Sequence, residues 1–263
     1  MNDYAEDTLV QQTTAEYLEE QLGWESIYAY NKEDFGPDSL LGRGSDREVV
    51  LTRSLRESLG ALNPGLPDAA YEDAVRRIAA TVASQTIVAA NREKYVLNRD
   101  GVQVTFRNAK GERMRDRLRV LDFDEPENNQ ILCVRELCIK GDLYRRRADI
   151  VGFVNGLPLL FIECKNIHED LKAAFEQNYS DYHDTIPQIF YHNAVVMFTR
   201  KVHRKLGGNF TSLVLTDRDD LDTQIYKTFA GCGVVDHDRD PCRAFSEAHL
   251  SRLLAEYKFL PRP

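Results

Sequence analysis

Three charged side chains stand in two otherwise apolar runs. Asp149 precedes Ile150-Val151-Gly152-Phe153-Val154, while Glu163 and Lys165 close the run that begins at Leu157. Between the runs sits Asn155-Gly156, the strongest short-range signal for a β-hairpin. If the hairpin turns about Gly156, Asp149 and Glu163 are equidistant from the turn and lie across from each other, their Cβ atoms about 4.5–5.5 Å apart. Alternation along the strand places Glu163 and Lys165 on one face and turns Cys164 away. Two carboxylates forced together repel, and one stays protonated unless a cation neutralises the pair. A hard divalent ion such as Mg²⁺ takes one or two carboxylates, waters and substrate phosphate oxygens. Beside it, the Lys165 ammonium would position or activate a water, or stabilise charge developing on phosphorus. That is the layout of a metal-assisted phosphodiester hydrolase. An Asp–Lys salt bridge, with Glu163 at a solvated strand edge, is the other reading, and the spacing alone leaves both open.

The segments Arg146-Arg147-Ala148-Asp149, Phe153-Val154-Asn155-Gly156-Leu157-Pro158-Leu159 and Glu163-Cys164-Lys165-Asn166 together resemble the PD-(D/E)xK nuclease core. More narrowly, they resemble the N-terminal endonuclease domain of type I restriction enzyme R subunits. The family's proline before the aspartate is Ala148 here, a departure that removes no ligand. Further matches lie at Leu22-Gly23-Trp24, Glu48-Val49-Val50-Leu51-Thr52 and Asp122-Phe123-x-x-Pro126-x-x-Asn129, so the resemblance covers nearly the whole chain. It implies an α/β fold, a restriction-endonuclease-like mixed central sheet flanked by helices. It also implies that Asp149, Glu163 and Lys165 are catalytic, with Asp149, Glu163 and the Cys164 carbonyl holding Mg²⁺. The RecB-like Gln-x-x-x-Tyr of the family would supply an auxiliary pair. Here Gln177 stands five positions before Tyr182, not four, so either Asn178 takes the glutamine's place in register or one residue is inserted. Double-stranded DNA is the implied substrate, and methyltransferase and specificity subunits are the implied partners. Two alternatives stand beside this reading: a standalone repair or recombination nuclease, and a non-catalytic docking module of a restriction complex.

The remaining chain must position these residues. Residues 1–24 read as an amphipathic helix presenting Leu9, Val10, Thr13, Tyr17, Leu18 and Leu22, with Gly23 as its stop. Nucleases of this kind often take an acid from such a helix, which makes Glu6 and Glu16 candidates against the plainer reading of a solvated face. A loop over 32–47 leads to a helix at about 46–61, and a second helix runs over 69–90 with Asp68 at its start. From Tyr95 the pattern turns to strands: 101–106, a turn at 108–111, a return over 115–121, and 130–139. The acidic segment 122–129 lacks the calcium-loop positions and reads as a turn capping the sheet. A helix over 168–182, short apolar strands at 193–199 and 210–216, and a helix over 245–257 complete the series. The expected organisation is a helical region, 1–92, packed on a nuclease core, 93–263, as one compact domain. No Gly-x-x-x-x-Gly-Lys-Ser/Thr is present. ATP binding is therefore expected only of the full-length subunit, in translocase domains that would begin where this chain stops.

Charge and cysteine usage bound the rest. With 34 basic and 42 acidic residues the net charge is −8, which argues against nonspecific coating of nucleic acid. Arginines and lysines nevertheless cluster at 113–119, at 145–147 and at 200–205. The first cluster reads as a solvated face; the second leads straight into Asp149 and is the expected phosphate contact. Arg43 and Arg47 are further phosphate candidates, whereas His203 and the acidic run 236–240 read as solvated surface. Five cysteines without a Cys-x-x-Cys pair indicate reduced thiols, with neither a disulfide framework nor a zinc site. No membrane-length apolar run or signal peptide is apparent, so the expectation is a cytoplasmic protein without a membrane partner.

Overall fold

The computed structural model of the chain describes residues 7–80, 86–108, 110–164, 179–199, 212–215, 244 and 246–257. Its helices are α1 (Asp7–Leu22), α2 (Thr52–Leu62), α3 (Asp68–Ala79), α4 (Ile87–Asp100), α5 (Ser180–Thr185) and α6 (Glu247–Tyr257). The strands are β1 (Glu25–Tyr28), β2 (Val102–Arg107), β3 (Arg113–Leu118), β4 (Ile131–Lys140), β5 (Arg145–Val154), β6 (Leu157–Cys164), β7 (Val195–Thr199) and β8 (Ser212–Leu215).

Six strands form one sheet in the order β1-β4-β5-β6-β7-β8, while β2 and β3 pair separately. The pairs β1–β4 and β6–β7 are parallel and the other neighbours antiparallel. This is the mixed α/β sheet expected from the sequence. Its two central strands, β5 and β6, are the apolar runs that carry Asp149 and Glu163. Ala15 and Leu18 of α1 pack with Cys133, Ile150, Ile162 and Cys164. On the opposite face lie Tyr182, Ile189 and Phe190, packed with Phe153, Phe161 and Phe198. A third cluster joins α2, α3 and the β2–β3 hairpin to Leu157, at the tip of the β5–β6 pair.

Several elements differ from the sequence expectation, each for a local reason. The helix expected from 46 begins only at Thr52, because Val49, Val50 and Leu51 are buried ahead of it and the Leu51 N–H bonds the Gly156 carbonyl at 2.9 Å. The single helix expected over 69–90 is two, since Ala80 turns extended and Thr86 caps α4 by accepting the Ala89 N–H. Lys94 closes the gap from the far side, its ammonium on the carbonyls of Ile78 and Ala80 at the end of α3. Helix α4 crosses residues 92 and 93 and runs past Tyr95 to Asp100, where Gly101 at φ 81° ends it. Strand β1 was not anticipated; it is four partly exposed residues, too short for an alternation signal. On α1 the buried side is Gln11, Thr13, Thr14, Ala15 and Leu18, while Tyr17 and Leu22 face solvent. Small side chains let that helix lie close to the sheet. Cys133 and Cys138 are free thiols, and no described helix is long and apolar enough to cross a membrane.

Candidate active site

The site starts from its turn. Asn155 and Gly156 have φ of 50° and 79°, the pair of left-handed residues that a two-residue hairpin turn of type I′ requires. Asn155 is fully buried. Its Nδ2 donates to the Val120 carbonyl at 2.9 Å and to Asn129 Oδ1 at 2.8 Å, and its Oδ1 accepts the Gln130 N–H at 2.8 Å. A Cβ on Gly156 would meet the Leu51 carbonyl oxygen at 2.4 Å. Side-chain hydrogen bonds on one side and helix backbone on the other therefore fix the turn.

From that turn Val154 pairs with Leu157 and Phe153 with Pro158; then the register shifts, so that Gly152 pairs with Leu160 and Ile150 with Ile162. Leu159 is the extra residue of a β-bulge, and the Pro158 beside it sits where a central strand tolerates proline. One step further the register carries Asp149 opposite Glu163. The turn is centred between Asn155 and Gly156, not on Gly156. Without the bulge Asp149 would face Ile162, and the bulge restores the pairing that equal spacing about Gly156 predicts.

Each carboxylate is held by a donor. Asp149 Oδ2 accepts the Cys164 backbone N–H at 2.7 Å. Tyr182 Oη donates to Glu163 Oε2 at 3.1 Å and lies 3.4 Å from the Arg147 carbonyl. Glu163 is 3% exposed and Tyr182 8%. Burial, and then the negative charges of Glu163 and Asp149, hold the Tyr182 phenol far above its usual pKa, so it stays a donor. Its ring meets Phe161 edge-on at 5.3 Å between centroids. Helix α5 is in turn tied to β5 by Arg146, which bonds Asp181 at 2.7 Å and Thr185 Oγ1 at 3.2 Å. Gly141 admits the same helix turn, since a Cβ there would lie 1.8 Å from the Thr185 carbonyl oxygen.

The 145–147 cluster, expected to meet phosphate, is instead engaged with carboxylates: Arg145 with Asp46 at 3.0 Å, Arg146 with Asp181 at 2.7 Å and Arg147 with Glu136 at 2.6 Å. Arg43, expected as a phosphate contact, is taken up inside the protein. It is fully buried, ion-paired with Glu33, and donates to the carbonyls of Glu48 and Cys138. Arg47 reaches Asp142 at 3.4 Å on the surface.

Sequence reasoning passed over Glu136. The pairs Arg135–Ile150 and Leu137–Ala148 place it across from Asp149 on the other neighbouring strand, with φ of 58°. It accepts Gln11 Nε2 of α1 at 2.5 Å as well as Arg147. Helix α1 thus reaches β4 through an amide. Glu16 accepts Gln12 of its own helix at 2.9 Å, and Glu6 lies outside the described residues. The available signal was an acid interrupting an apolar strand, the same signal that marked Asp149 and Glu163. Lys165, Gln177, Asn178, His203 and the run 236–240 also fall outside the described residues.

Among the described residues no three His, Cys, Asp or Glu side chains gather in an arrangement that would hold a metal. The donors present are the carboxylates of Asp149 and Glu163 on adjacent strands. That hard-oxygen pair suits Mg²⁺, which commonly takes one or two carboxylates and keeps several waters.

Residues 3–213 match the family described as type I restriction enzyme R protein N terminus, and residues 193–260 match the SWI2/SNF2 ATPase family. The chain is 33% identical over 227 residues to the type I restriction enzyme HindI endonuclease subunit of Haemophilus influenzae. That alignment covers 82% of this chain and 21% of the relative, so the chain spans about a fifth of the length of the curated relative it matches.

Proposed function

The chain belongs to the family of type I restriction enzyme R protein N termini, and from that membership we propose that it is a Mg²⁺-dependent endonuclease domain of the PD-(D/E)xK kind, hydrolysing phosphodiester bonds of double-stranded DNA. The observation that carries this reading is the bulged β5–β6 register, which one step beyond Ile150–Ile162 sets Asp149 opposite Glu163, each carboxylate oriented by its own donor. Asp149, Glu163 and the Cys164 carbonyl would hold Mg²⁺, which when bound supplies Lewis-acid stabilisation of charge on the scissile phosphate.

The protein's own groups do the rest by positioning. The Cys164 N–H fixes the Asp149 carboxylate and the Tyr182 hydroxyl fixes that of Glu163. Lys165, next after β6, is assigned the attacking water. Gln177 and Tyr182 form the auxiliary pair. Gln177, the glutamine five positions before Tyr182, is taken as the member of that pair.

In the cytoplasm, cleavage would follow ATP-driven translocation by other domains of the full subunit, with methyltransferase and specificity subunits setting the site. The ATPase match over 193–260 supports a motor region adjoining the nuclease unit. The test is calorimetric Mg²⁺ titration of the wild type and Asp149→Ala, paired with cleavage of supercoiled plasmid in the assembly that restores the ATP-driven domains. Loss of metal binding and of cutting in a variant with intact circular dichroism is the expected result. A mutant assembly that still cuts would make Asp149 structural. Absence of metal binding and cutting in both proteins would leave a docking module.

A further inference from the structure

The β2–β3 hairpin carries arginines that the ion pairs of the fold leave over. Its register pairs Gln103 with Arg117, Thr105 with Arg115 and Arg107 with Arg113. Positions of one parity alternate to one face. Val102, Val104 and Leu118 point into the cluster shared with Ala74 and Ile78 of α3. The opposite face therefore presents Gln103, Thr105, Arg107, Arg113, Arg115 and Arg117, and all four arginines are exposed. No carboxylate occupies that set of positions.

The local acids are otherwise placed. Asp116 takes the Arg117 backbone N–H from the inward parity, Glu112 holds Asn108, and Asp100 holds Arg99. Arg107 and Arg117 donate to the backbone carbonyls of Gly111 and Asp100, while Arg113 and Arg115 have no ion-pair partner among the described residues. Like charges directly opposite on paired strands destabilise the pair, and the Arg107–Arg113 rung is one. In a chain of net charge −8, these four exposed arginines form a locally positive face.

We propose that the outward face of β2–β3 is a docking surface for the phosphate backbone of double-stranded DNA. The choice of DNA rests on the nuclease reading above. Guanidinium groups match phosphate geometry, and a two-stranded ribbon fits a duplex groove. The hairpin packs beside Leu157, six residues before Glu163 along β6, or about 20 Å at ~3.3 Å per residue. At 3.4 Å per nucleotide the hairpin would grip a duplex roughly six base pairs from the scissile bond.

The experiment is fluorescence anisotropy of the whole chain with a labelled duplex of about three helical turns, in EDTA, between about 50 and 200 mM salt. Four proteins are compared: wild type, Arg113→Ser with Arg115→Ser, the two Lys replacements at the same positions, and Arg92→Ser with Arg99→Ser on α4 as a charge-matched control. The proposal expects the hairpin Ser variant to bind about tenfold or more weaker, with the log–log salt slope smaller by about two, one per lost phosphate contact. The Lys variant should keep the slope, and the control should bind within about twofold of wild type. Equal weakening in the control, unchanged binding in the hairpin variant, or no wild-type binding at the lowest salt overturns it. Mg²⁺ titration of the same proteins separates the two readings. Unchanged DNA binding in the hairpin variant with normal metal binding sinks the surface alone, while hairpin-dependent binding without metal binding sinks the nuclease site alone.

Discussion

Tyr182 and Glu163, 19 positions apart in the chain, meet through a 3.1 Å hydrogen bond in the protein interior. The tyrosine reaches the carboxylate because Arg146 ties α5 to β5 and Gly141 lets the Thr185 carbonyl approach. In the proposed site Tyr182 would therefore be a positioning residue, acting through the Glu163 side chain.

Tyr182→Phe isolates that role. The ring keeps its edge contact with Phe161, while a buried carboxylate loses a donor, at a cost of about 1–3 kcal/mol. Urea denaturation should show that loss with the m-value unchanged. Calorimetry should show weaker Mg²⁺ binding by about tenfold, in the range typical of supporting partners around a metal site. Stability lost with metal affinity intact would reduce Tyr182 to a packing residue.

The register that leads toward Asp149 opposite Glu163 was legible in the sequence, although the path to it was not. Asn155-Gly156 announced the hairpin, but nothing in Pro158-Leu159 announced the bulge that shifts its register. Apolar strands and acids interrupting them are local features, readable one segment at a time, and by that rule Glu136 was readable too. The fate of the arginines at 145–147 was not, because Asp46 and Asp181, the partners of Arg145 and Arg146, lie far off in the chain. Helix ends failed for a similar reason. Val49, Val50 and Leu51 have ordinary helical company, yet packing against the Gly156 turn decides their conformation.

Asn155 should be intolerant of its nearest backbone mimic. Asn155→Gly retains the left-handed φ but strands the buried Val120 carbonyl and removes the acceptor of the Gln130 N–H. An unsatisfied buried group costs about 1–3 kcal/mol, so chemical denaturation should reveal a loss of roughly 1–3 kcal/mol. A loss below about 0.5 kcal/mol, the level of an ordinary surface change, would mean that water replaces the side chain.

Acid sensitivity should trace to His192. Burial, and then the charge of Lys94, push its pKa down from 6.5 to about 3. Its Nε2 lies 3.2 Å from the Ile78 carbonyl, and its Nδ1 is buried with no hydrogen-bond partner among the described residues. The folded state stays unprotonated while the unfolded state gains a proton below pH 6.5, so stability is full above that pH. It falls by about 1.4 kcal/mol per unit as pH drops toward 3. Between pH 7 and 5 the wild type should lose about 2 kcal/mol more than His192→Gln, measured by urea titration at each pH. Parallel losses in the two proteins would place the acid sensitivity elsewhere.

Gln177 and Asn178 make opposite claims on the position one turn before Tyr182. In an α-helix residues four apart stack on one face, which favours Asn178. The family's pattern calls for a glutamine, which favours Gln177 five positions before Tyr182. On that assignment Gln177→Ala should lower plasmid cleavage by the restored assembly about tenfold or more, with melting temperature unchanged, whereas Asn178→Ala should cut within about twofold of wild type. The reverse ranking would place Asn178 in the glutamine's role. Equal, full activity in both would remove the auxiliary amide from the mechanism and leave Asp149, Glu163 and Lys165 to act with Tyr182 alone.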